Sequence, residues 1–278
     1  MEIPTITSSQ NRQVTRVRRL LARPRECRKA GVLVADGIHL VREALEVGLP
    51  CQLLFAEVQS RDPEIAHLVE SAERLRLPLY PILPHLFRAV SPVETPQGIL
   101  GVFERPRHDR HELWGGPPQS HLVVAAGIQD PTNLGSIARS ALAAGAVGLV
   151  CTEETVDPFH HRALRASMGA SFRLPVVTGE ALRPTIHKLR NQGYRTLALA
   201  PRGETDLRSL DPRVPYALLL GSEGAGLAAD IESECEHRVR IPIAPAVESL
   251  GVAAAAAVAL FWLRLTPPAS PDGSTLVP

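Results

Sequence analysis

Three short segments of the sequence place glycine beside acidic, amide or hydroxyl side chains directly after an apolar run. They are QDPTNLGSIAR (129–139), SEGAGL (222–227) and PAVESLG (245–251), and each leads into sequence with helical character. In open parallel α/β sheets, ligands bind beyond the carboxyl ends of the strands. If the apolar runs are strands of one sheet, these segments form the candidate site.

The glycine-rich segment GSEGAGL (221–227) favours a ligand that approaches the backbone closely. Glu223 lies among Gly221, Gly224 and Gly226, an arrangement that sets a carboxylate beside exposed backbone. The segment lacks the GK[ST] ending of a P-loop, and its glycines are wrongly spaced for the GxGxxG dinucleotide fingerprint. An ordinary strand-to-helix turn, in which glycine supplies a positive φ, is the alternative interpretation.

The segment NLGSIAR (133–139) combines an amide with a guanidinium. Asn133 or Ser136 could cap a helix through its side-chain oxygen. Arg139 would then lie about one turn into that helix, where a cation is unfavourable beside the positive end of the helix dipole. The segment therefore predicts an anionic group close to Arg139.

Alternating apolar and helical stretches form two blocks, and these must position the three segments. The first block runs from about Gly31 to Glu104, and the polar, Gly- and Pro-rich stretch 105–120 that follows it is typical of a linker. The second block contains six short apolar runs that are apolar on both faces and separated by helical stretches, which predicts a parallel sheet covered on both sides. The six runs are HLVVAAGI, AVGLVCT, RLPVVT, RTLALA, YALLLG and HRVRIPIA.

Chain length, charge, cysteine spacing and apolar runs indicate which classes of protein the chain could belong to. A chain of 278 residues favours two domains. The net charge of +1 hides an arginine-rich segment, 10–30, that suits a phosphate backbone; a solvated helix face is the alternative. The four cysteines form no CxxC pair, and the adjacent His160 and His161 lack HExxH context, so we expect no metal site. The longest apolar run, 251–263, is shorter than the about 20 residues that span a bilayer, which favours a soluble cytoplasmic protein.

Taken together, the three segments resemble the motifs of the SpoU/TrmH branch of the SPOUT superfamily, the RNA ribose 2′-O-methyltransferases. The first motif matches through Asn133, Gly135 and Arg139, the second through Gly221, Glu223 and Gly226, and the third through Ile241, Pro242, Ser249 and Leu250. The segment LRASMGASFRLPVV (164–177) is also similar to the family. The first block resembles the family's substrate-binding domain through 33–45 and 91–103, so the likeness reaches to about residue 265.

The resemblance implies an α/β fold with a C-terminal parallel-sheet domain that contains a deep trefoil knot, plus a small N-terminal α/β substrate-binding domain. We therefore predict the following division: a basic N-terminal arm (1–30), an RNA substrate-binding domain (31–106), a linker (107–119), a SPOUT methyltransferase catalytic domain (120–265) and a disordered tail (266–278).

By the same resemblance, the activity is methyl transfer from S-adenosylmethionine to a ribose 2′-hydroxyl of structured RNA. We expect the substrate to be ribosomal RNA; the alternative is that the protein is a tRNA ribose 2′-O-methyltransferase. The family implies a homodimer with active sites at the interface, and neither a metal nor a membrane is involved. The residues expected to bind the cofactor are Leu220, Gly221, Gly226, Ile241, Pro242, Ser249 and Leu250.

Four residues are expected to be catalytic by resemblance: Arg139, Asn133, Glu223 and Ser249. The family's motif-one arginine is commonly assigned as the general base, although a guanidinium normally stays protonated. Arg139 is thus either a perturbed base or a group that stabilises the developing alkoxide and clamps the adjacent phosphate. Asn133 would orient the substrate or Arg139, Glu223 would fix Arg139 or the loop, and Ser249 would cap the last helix.

One position departs from the family pattern. Gly251 stands where the third motif has asparagine, so this chain has no side chain there to orient a ligand. An inactive RNA-binding relative that keeps the fold is therefore an alternative. A dehydrogenase or kinase-like α/β protein is disfavoured, because neither GxGxxG nor GK[ST] follows the first strand.

Overall fold

The computed structural model describes residues 4–58, 60–108, 113 and 121–265, with only the backbone of Leu265. The chain forms two compact units: unit 1 comprises Met1–Arg107 and Asp157–Arg173, and unit 2 comprises His108–Val156 and Leu174–Pro278. Most of the predicted linker and all of the predicted tail, 266–278, lie outside the described residues. Within the described part of the chain, no helix has the length and apolar character needed to cross a membrane.

The elements up to Glu104 alternate between helix and strand, as the apolar runs of the first block predict. They are α1 (Arg12–Ala22), α2 (Pro24–Ala30), β1 (Val32–Asp36), α3 (Ile38–Glu46), β2 (Cys51–Glu57), α4 (Pro63–Arg74), β3 (Leu79–Ile82), α5 (Pro84–Val90) and β4 (Ile99–Glu104).

The elements from Leu122 onward include all six strands expected in the second block and one short strand that was not expected. They are β5 (Leu122–Ala125), α6 (Pro131–Ala143), β6 (Gly148–Thr152), α7 (His161–Ser167), α8 (Ala170–Arg173), β7 (Val176–Glu180), α9 (Leu182–Asn191), β8 (Arg195–Leu199), β9 (Thr205–Asp206), β10 (Tyr216–Leu220), α10 (Ala229–Glu234), β11 (His237–Arg240) and α11 (Val252–Leu265).

Unit 1 is built on a four-stranded sheet in the order β1-β4-β2-β3. The β1–β4 and β4–β2 pairs are antiparallel, and the β2–β3 pair is parallel. Leu53, Phe55, Leu100 and Val102 of this sheet pack in one apolar core with residues of α1, α2 and α5. Burial of these apolar side chains is the main contribution to the stability of unit 1.

Two helices from the segment expected as a basic arm, α1 and α2, are instead part of this core. Val14, Val17 and Leu20 repeat at helical spacing on α1 and are buried, and Cys27 of α2 is buried beside them. Most arginines of the two helices are exposed, whereas Arg16 is half-buried and donates a hydrogen bond to Gln52 of β2. The apolar residues between the arginines pack these helices onto the sheet.

The segment Asp157–Arg173 lies between β6 and β7 in sequence, yet it packs in unit 1. Arg105 donates to both carboxylate oxygens of Asp157, with N–O distances of 3.1 Å and 2.5 Å, and its guanidinium lies 5.4 Å from the centre of the Phe159 ring. Both members of the ion pair are largely buried. Breaking a buried pair leaves an uncompensated charge, which costs about 3–5 kcal/mol, so this contact fixes the segment strongly.

Unit 2 contains a seven-stranded sheet in the order β7-β6-β5-β10-β8-β11-β9, and every pair in it is parallel. The strands β5, β6 and β10 are buried along their whole length, as their apolar runs predict. Leu113, from the stretch expected as a linker, is fully buried in the core of this unit.

The helix α11 packs against α6 and buries Ala256, Ala259, Leu260 and Leu263. Small side chains on this face allow close approach of the two helices. Ser249 was expected to cap this helix, but the helix begins at Val252, and the Ala255 N–H donates to the Gly251 carbonyl oxygen at 2.9 Å. The trefoil knot implied by the family stays a prediction.

Candidate active site

Parallel pairing brings the three segments to one edge of the unit 2 sheet. Ala125 at the end of β5 lies opposite Leu220 at the end of β10, so the loops that follow these strands start side by side. On the other side of β10 lies β8, and β11 lies beside β8. Because all these strands run in the same direction, the loops after β5, β8, β10 and β11 all begin at this edge.

A cavity of about 220 Å³ lies at the same edge. Its walls come from the loops after β8, β10 and β11 and from the first turn of α11. Six of the seven residues expected to bind a cofactor line it: Leu220, Gly221, Gly226, Ile241, Ser249 and Leu250. The seventh, Pro242, is exposed and is not part of the lining.

The Glu223 carboxylate holds the loop that follows β5. Its Oε2 accepts a hydrogen bond from the Gln129 N–H at 3.1 Å, and its Oε1 accepts from the Asp130 N–H at 3.0 Å and from Asn133 Nδ2 at 3.1 Å. Partial burial alone would raise the pKa of Glu223, but the hydrogen bonds from Asn133, Asp130 and Gln129 outweigh it and hold the pKa below its ordinary value. Glu223 is therefore ionised at neutral pH.

The helix that carries Asn133 and Arg139 begins earlier than the sequence interpretation placed it. Asp130 is the N-cap of α6, since its side chain accepts from the Thr132 N–H, and Pro131 occupies the first helical position. Neither Asn133 nor Ser136 is the cap: Asn133 binds Glu223, and the Ser136 hydroxyl donates to the Thr132 carbonyl oxygen. Asn133 is thus free of the capping role and faces the β10 loop.

Arg139 lies more than two turns into α6, because the helix begins at Pro131. The predicted conflict with the helix dipole is therefore wrong, since the dipole acts within the first turn. The Arg139 side chain is exposed and forms no hydrogen bond or ion pair with any residue in the described ranges. Of the two roles expected for Glu223, the structure shows contact with the loop and Asn133, and none with Arg139.

Ser249 does not cap α11, because it lies three residues before the helix begins at Val252; it lines the cavity instead. Gly251, where the family has asparagine, is exposed, and a Cβ added there would have no heavy atom within 4 Å. Its backbone has no positive φ. Neither space nor conformation therefore requires glycine at this position.

Sequence reasoning did not identify the end of β8 and the loop that follows it, where Leu199, Ala200 and Pro201 line the cavity. The rule that ligands bind beyond the carboxyl ends of parallel strands applies to this loop as well. The composition of this loop does not distinguish it as a site, because it has no acidic or amide side chain before Glu204. Glu232 of α10, also in the lining, was missed because nothing local separates it from the other acids of that helix.

Comparisons with known proteins agree with this geometry. Residues 120–261 match the SpoU rRNA Methylase family, and residues 11–101 match the MRM3-like substrate binding domain. The chain is 32% identical to an uncharacterized tRNA/rRNA methyltransferase of Synechocystis over 95% of this chain and 94% of the relative. It is 29% identical to the 23S rRNA (guanosine(2553)-2′-O)-methyltransferase RlmP of Bacillus subtilis, over 93% of this chain and 98% of the relative.

Among solved structures, the AdoMet-bound rRNA methyltransferase from Sinorhizobium meliloti superposes with a TM-score of 0.81 at 29% identity, and the match covers 95% of this chain and 98% of that one. Its fold therefore corresponds to both units of this chain. The family match spans the strands and loops that build the cavity, and it includes Glu223 in the lining and Asn133 and Arg139 on α6. The chain belongs to the SpoU rRNA Methylase family.

Proposed function

We propose that this protein transfers a methyl group from S-adenosylmethionine to a ribose 2′-hydroxyl of ribosomal RNA. One observation carries the proposal: Glu223, which lines the cavity, is hydrogen-bonded to the start of α6, the helix that carries Asn133 and Arg139. All three residues lie in the region that matches the methylase family. The relatives support it, since one is named for 2′-O-methylation of 23S rRNA and another is an AdoMet-bound rRNA methyltransferase.

The cavity suits this cofactor. Leu199, Leu220 and Ile241 offer apolar surface for a purine, and the glycine-rich loop 221–226 exposes backbone groups that can bind its polar parts. The cofactor would supply a methyl group on a sulfonium centre. The ionised Glu223 lines the same cavity and adds a negative charge beside a cationic ligand.

The chain's own residues would handle the ribose. The 2′-hydroxyl must be held in line with the methyl group and must lose its proton. Arg139, exposed and without a partner among the described residues, is available for either of two roles. As a neutral guanidine it would accept that proton; as a guanidinium it would stabilise the alkoxide and bind the neighbouring phosphate, while the proton leaves to water. Asn133, fixed by Glu223, would orient the ribose from the first turn of α6.

A methyl-transfer assay tests the proposal. The purified chain would be incubated with methyl-labelled S-adenosylmethionine and with total RNA from cells that lack the gene, and labelled nucleotides would be mapped by their resistance to alkaline cleavage. We expect label at a 2′-O position of ribosomal RNA. Label confined to transfer RNA would favour the alternative substrate, and RNA binding without transfer would favour an inactive relative.

The exposed arginines of α1 and α2 support a role in binding the RNA backbone. Arg18, Arg25 and Arg28 are exposed and have no ion pair within the described part of the chain. Because α1 and α2 contribute to the core of unit 1, deleting residues 1–30 would disrupt the fold, so point substitutions are needed.

We expect the double variant Arg25→Gln/Arg28→Gln to bind RNA more weakly and to lower the slope of log K against log salt by about 0.7 to 0.9 per lost phosphate contact. Filter binding at several salt concentrations measures this. The matched control is Arg42→Gln/Arg173→Gln in the same unit, where both arginines already pair with glutamates. Equal effects of the two variants would contradict a specific role for α1 and α2.

The homodimer implied by the family is part of the proposal, as is a cytoplasmic location. The exposed side of α11 carries Ala254, Val258 and Phe261 at helical spacing, and Phe261 and Val258 are 36% and 43% exposed. An apolar stripe of this kind is typical of a protein interface.

We expect Val258→Glu/Phe261→Glu to halve the mass measured by sedimentation equilibrium, because an ionised side chain is costly in an apolar interface. Methyl transfer should fall with it if the site is completed by a second copy. A wild-type chain that sediments as a monomer at assay concentration would contradict the dimer.

A further inference from the structure

Two buried threonines, Thr152 and Thr155, form hydrogen bonds with the backbone at the start of the β5–α6 loop, residues 126–130. The Thr155 hydroxyl donates to the Ala125 carbonyl oxygen at 2.8 Å and accepts from the Gly127 N–H at 3.0 Å. Thr152 Oγ1 lies 3.2 Å from the same N–H and 3.2 Å from Thr155 Oγ1. Since Thr155 gives its only hydroxyl proton to Ala125, Thr152 is the donor between the two threonines.

These threonine hydrogen bonds form at the point where the loop leaves the sheet. Ala125 is the last residue of β5, and Gly127 has a φ of +74°, a conformation in which a side chain would be strained. Thr152 and Thr155 are 2% and 6% exposed, so water does not replace their hydrogen bonds. The loop backbone is therefore fixed by two side chains that lie outside the loop.

Further hydrogen bonds connect this loop to Asn133, one of the residues expected to act on the ribose. Gln129 Nε2 donates to the Gly127 carbonyl oxygen at 3.1 Å and to the Glu154 carbonyl oxygen at 2.7 Å. The N–H groups of Gln129 and Asp130 donate to Glu223, which also accepts from Asn133. Asp130 caps α6 and so sets where the helix of Arg139 begins.

The loop is separate from the walls of the cavity. None of residues 125–130 is among the residues that line it, although Glu223 is. A small displacement of the loop would therefore move Asn133 and Arg139 while leaving most of the cofactor-binding surface in place. An error of about 1 Å in a positioned group can cost about a hundredfold in rate.

We propose that Thr155 is a positioning residue for methyl transfer, acting through the β5–α6 loop on Asn133 and Arg139. The inference rests on the proposed function. Its distinguishing feature is that Thr155 should govern the rate of transfer with little influence on cofactor affinity.

The test replaces Thr155 with valine, which keeps the shape and removes the hydroxyl. We expect kcat for RNA methylation to fall by about 10- to 100-fold, while the Kd of S-adenosylmethionine, measured by calorimetry, changes by less than about twofold. Thr155→Ser, which keeps the hydroxyl, should restore most of the rate.

The matched control is Thr185→Val in α9. Thr185 is also buried, and its hydroxyl donates to the Ala181 carbonyl oxygen at 2.8 Å. It is not among the residues that line the cavity, and β7, the strand before α9, is separated from β5 by β6. We expect this variant to lose a similar amount of thermal stability and to keep its kcat.

If the wild-type chain transfers methyl groups, three results would overturn the inference. The kcat of Thr155→Val could be unchanged, or the kcat of Thr185→Val could fall equally. Alternatively, the Kd of S-adenosylmethionine for Thr155→Val could rise by as much as its kcat falls. A wild-type chain that transfers no methyl group would instead overturn the proposed function, and the positioning role with it. The wild-type assay thus separates the two failures.

Discussion

The Arg139→Ala variant is expected to transfer methyl groups about 10²- to 10⁴-fold more slowly than the wild-type chain, the range found when a general base or a charge-stabilising group is removed. Arg139 is exposed and has no partner among the described residues, so its loss should not weaken the fold. It is absent from the cavity lining, so the Kd of S-adenosylmethionine should stay the same. Single-turnover methylation and calorimetry would measure the two quantities separately.

The control is Arg213→Ala. Arg213 is an exposed arginine of the same unit that pairs with Asp211 and precedes β10, so it lies at the opposite end of that strand from the site. We expect its methylation rate to match that of the wild-type chain. If Arg139→Ala kept the wild-type kcat, Arg139 would have neither of the two roles assigned to it.

Arg139→Lys separates those roles by the pH dependence of the rate. The pKa of a lysine side chain is about 10.4, well below that of arginine. If the residue accepts the ribose proton, the variant's rate should rise as pH approaches the lysine pKa, because the neutral amine is the active form. If the residue acts by its charge, the rate should fall over the same interval, because the cationic form is the active one.

The strands of unit 2 could be predicted because each is buried on both faces and therefore appears as an unbroken apolar run, as in YALLLG. The order of the strands could not be predicted, since it is set by which sheet neighbours pack best and not by any single run. The segment 157–173 shows the same limit. It joins unit 1 through Arg105 and Asp157, which are 52 residues apart in sequence, and neither residue is distinctive locally.

The polar residues of the site could be named from sequence, but their contacts could not. Whether Glu223 holds Arg139 or the loop depends on where α6 begins, and that depends on Asp130 and Pro131. An aspartate followed by proline is a recognised helix start. Moving the start from Asn133 to Pro131 turns Asn133 toward Glu223 and places Arg139 further along the helix.

Gly221→Ala is expected to weaken cofactor binding or to lower the melting temperature, because a single methyl group has no space in the β10 loop. A Cβ at this position would lie 2.0 Å from the Gly226 carbonyl carbon and 2.2 Å from the Leu227 nitrogen, both of which are backbone atoms. The loop is closed there by two hydrogen bonds between Ser222 and Gly226, from the Ser222 N–H to the Gly226 carbonyl oxygen and from the Gly226 N–H to the Ser222 carbonyl oxygen. The added carbon can be accommodated only if this closed turn opens.

Overpacking of this kind costs about 1–3 kcal/mol. If the cost falls on the bound state, the Kd of S-adenosylmethionine rises by about 5- to 150-fold; if it falls on the fold, the melting temperature drops instead. Calorimetry and thermal unfolding on the same sample therefore account for the whole effect. Gly224→Ala is the steric control, since a Cβ there meets nothing within 4 Å and its melting temperature should not change. Wild-type affinity and stability in Gly221→Ala would mean that the loop between Gly221 and Leu227 opens at no cost, and that its closed form does not shape the cavity.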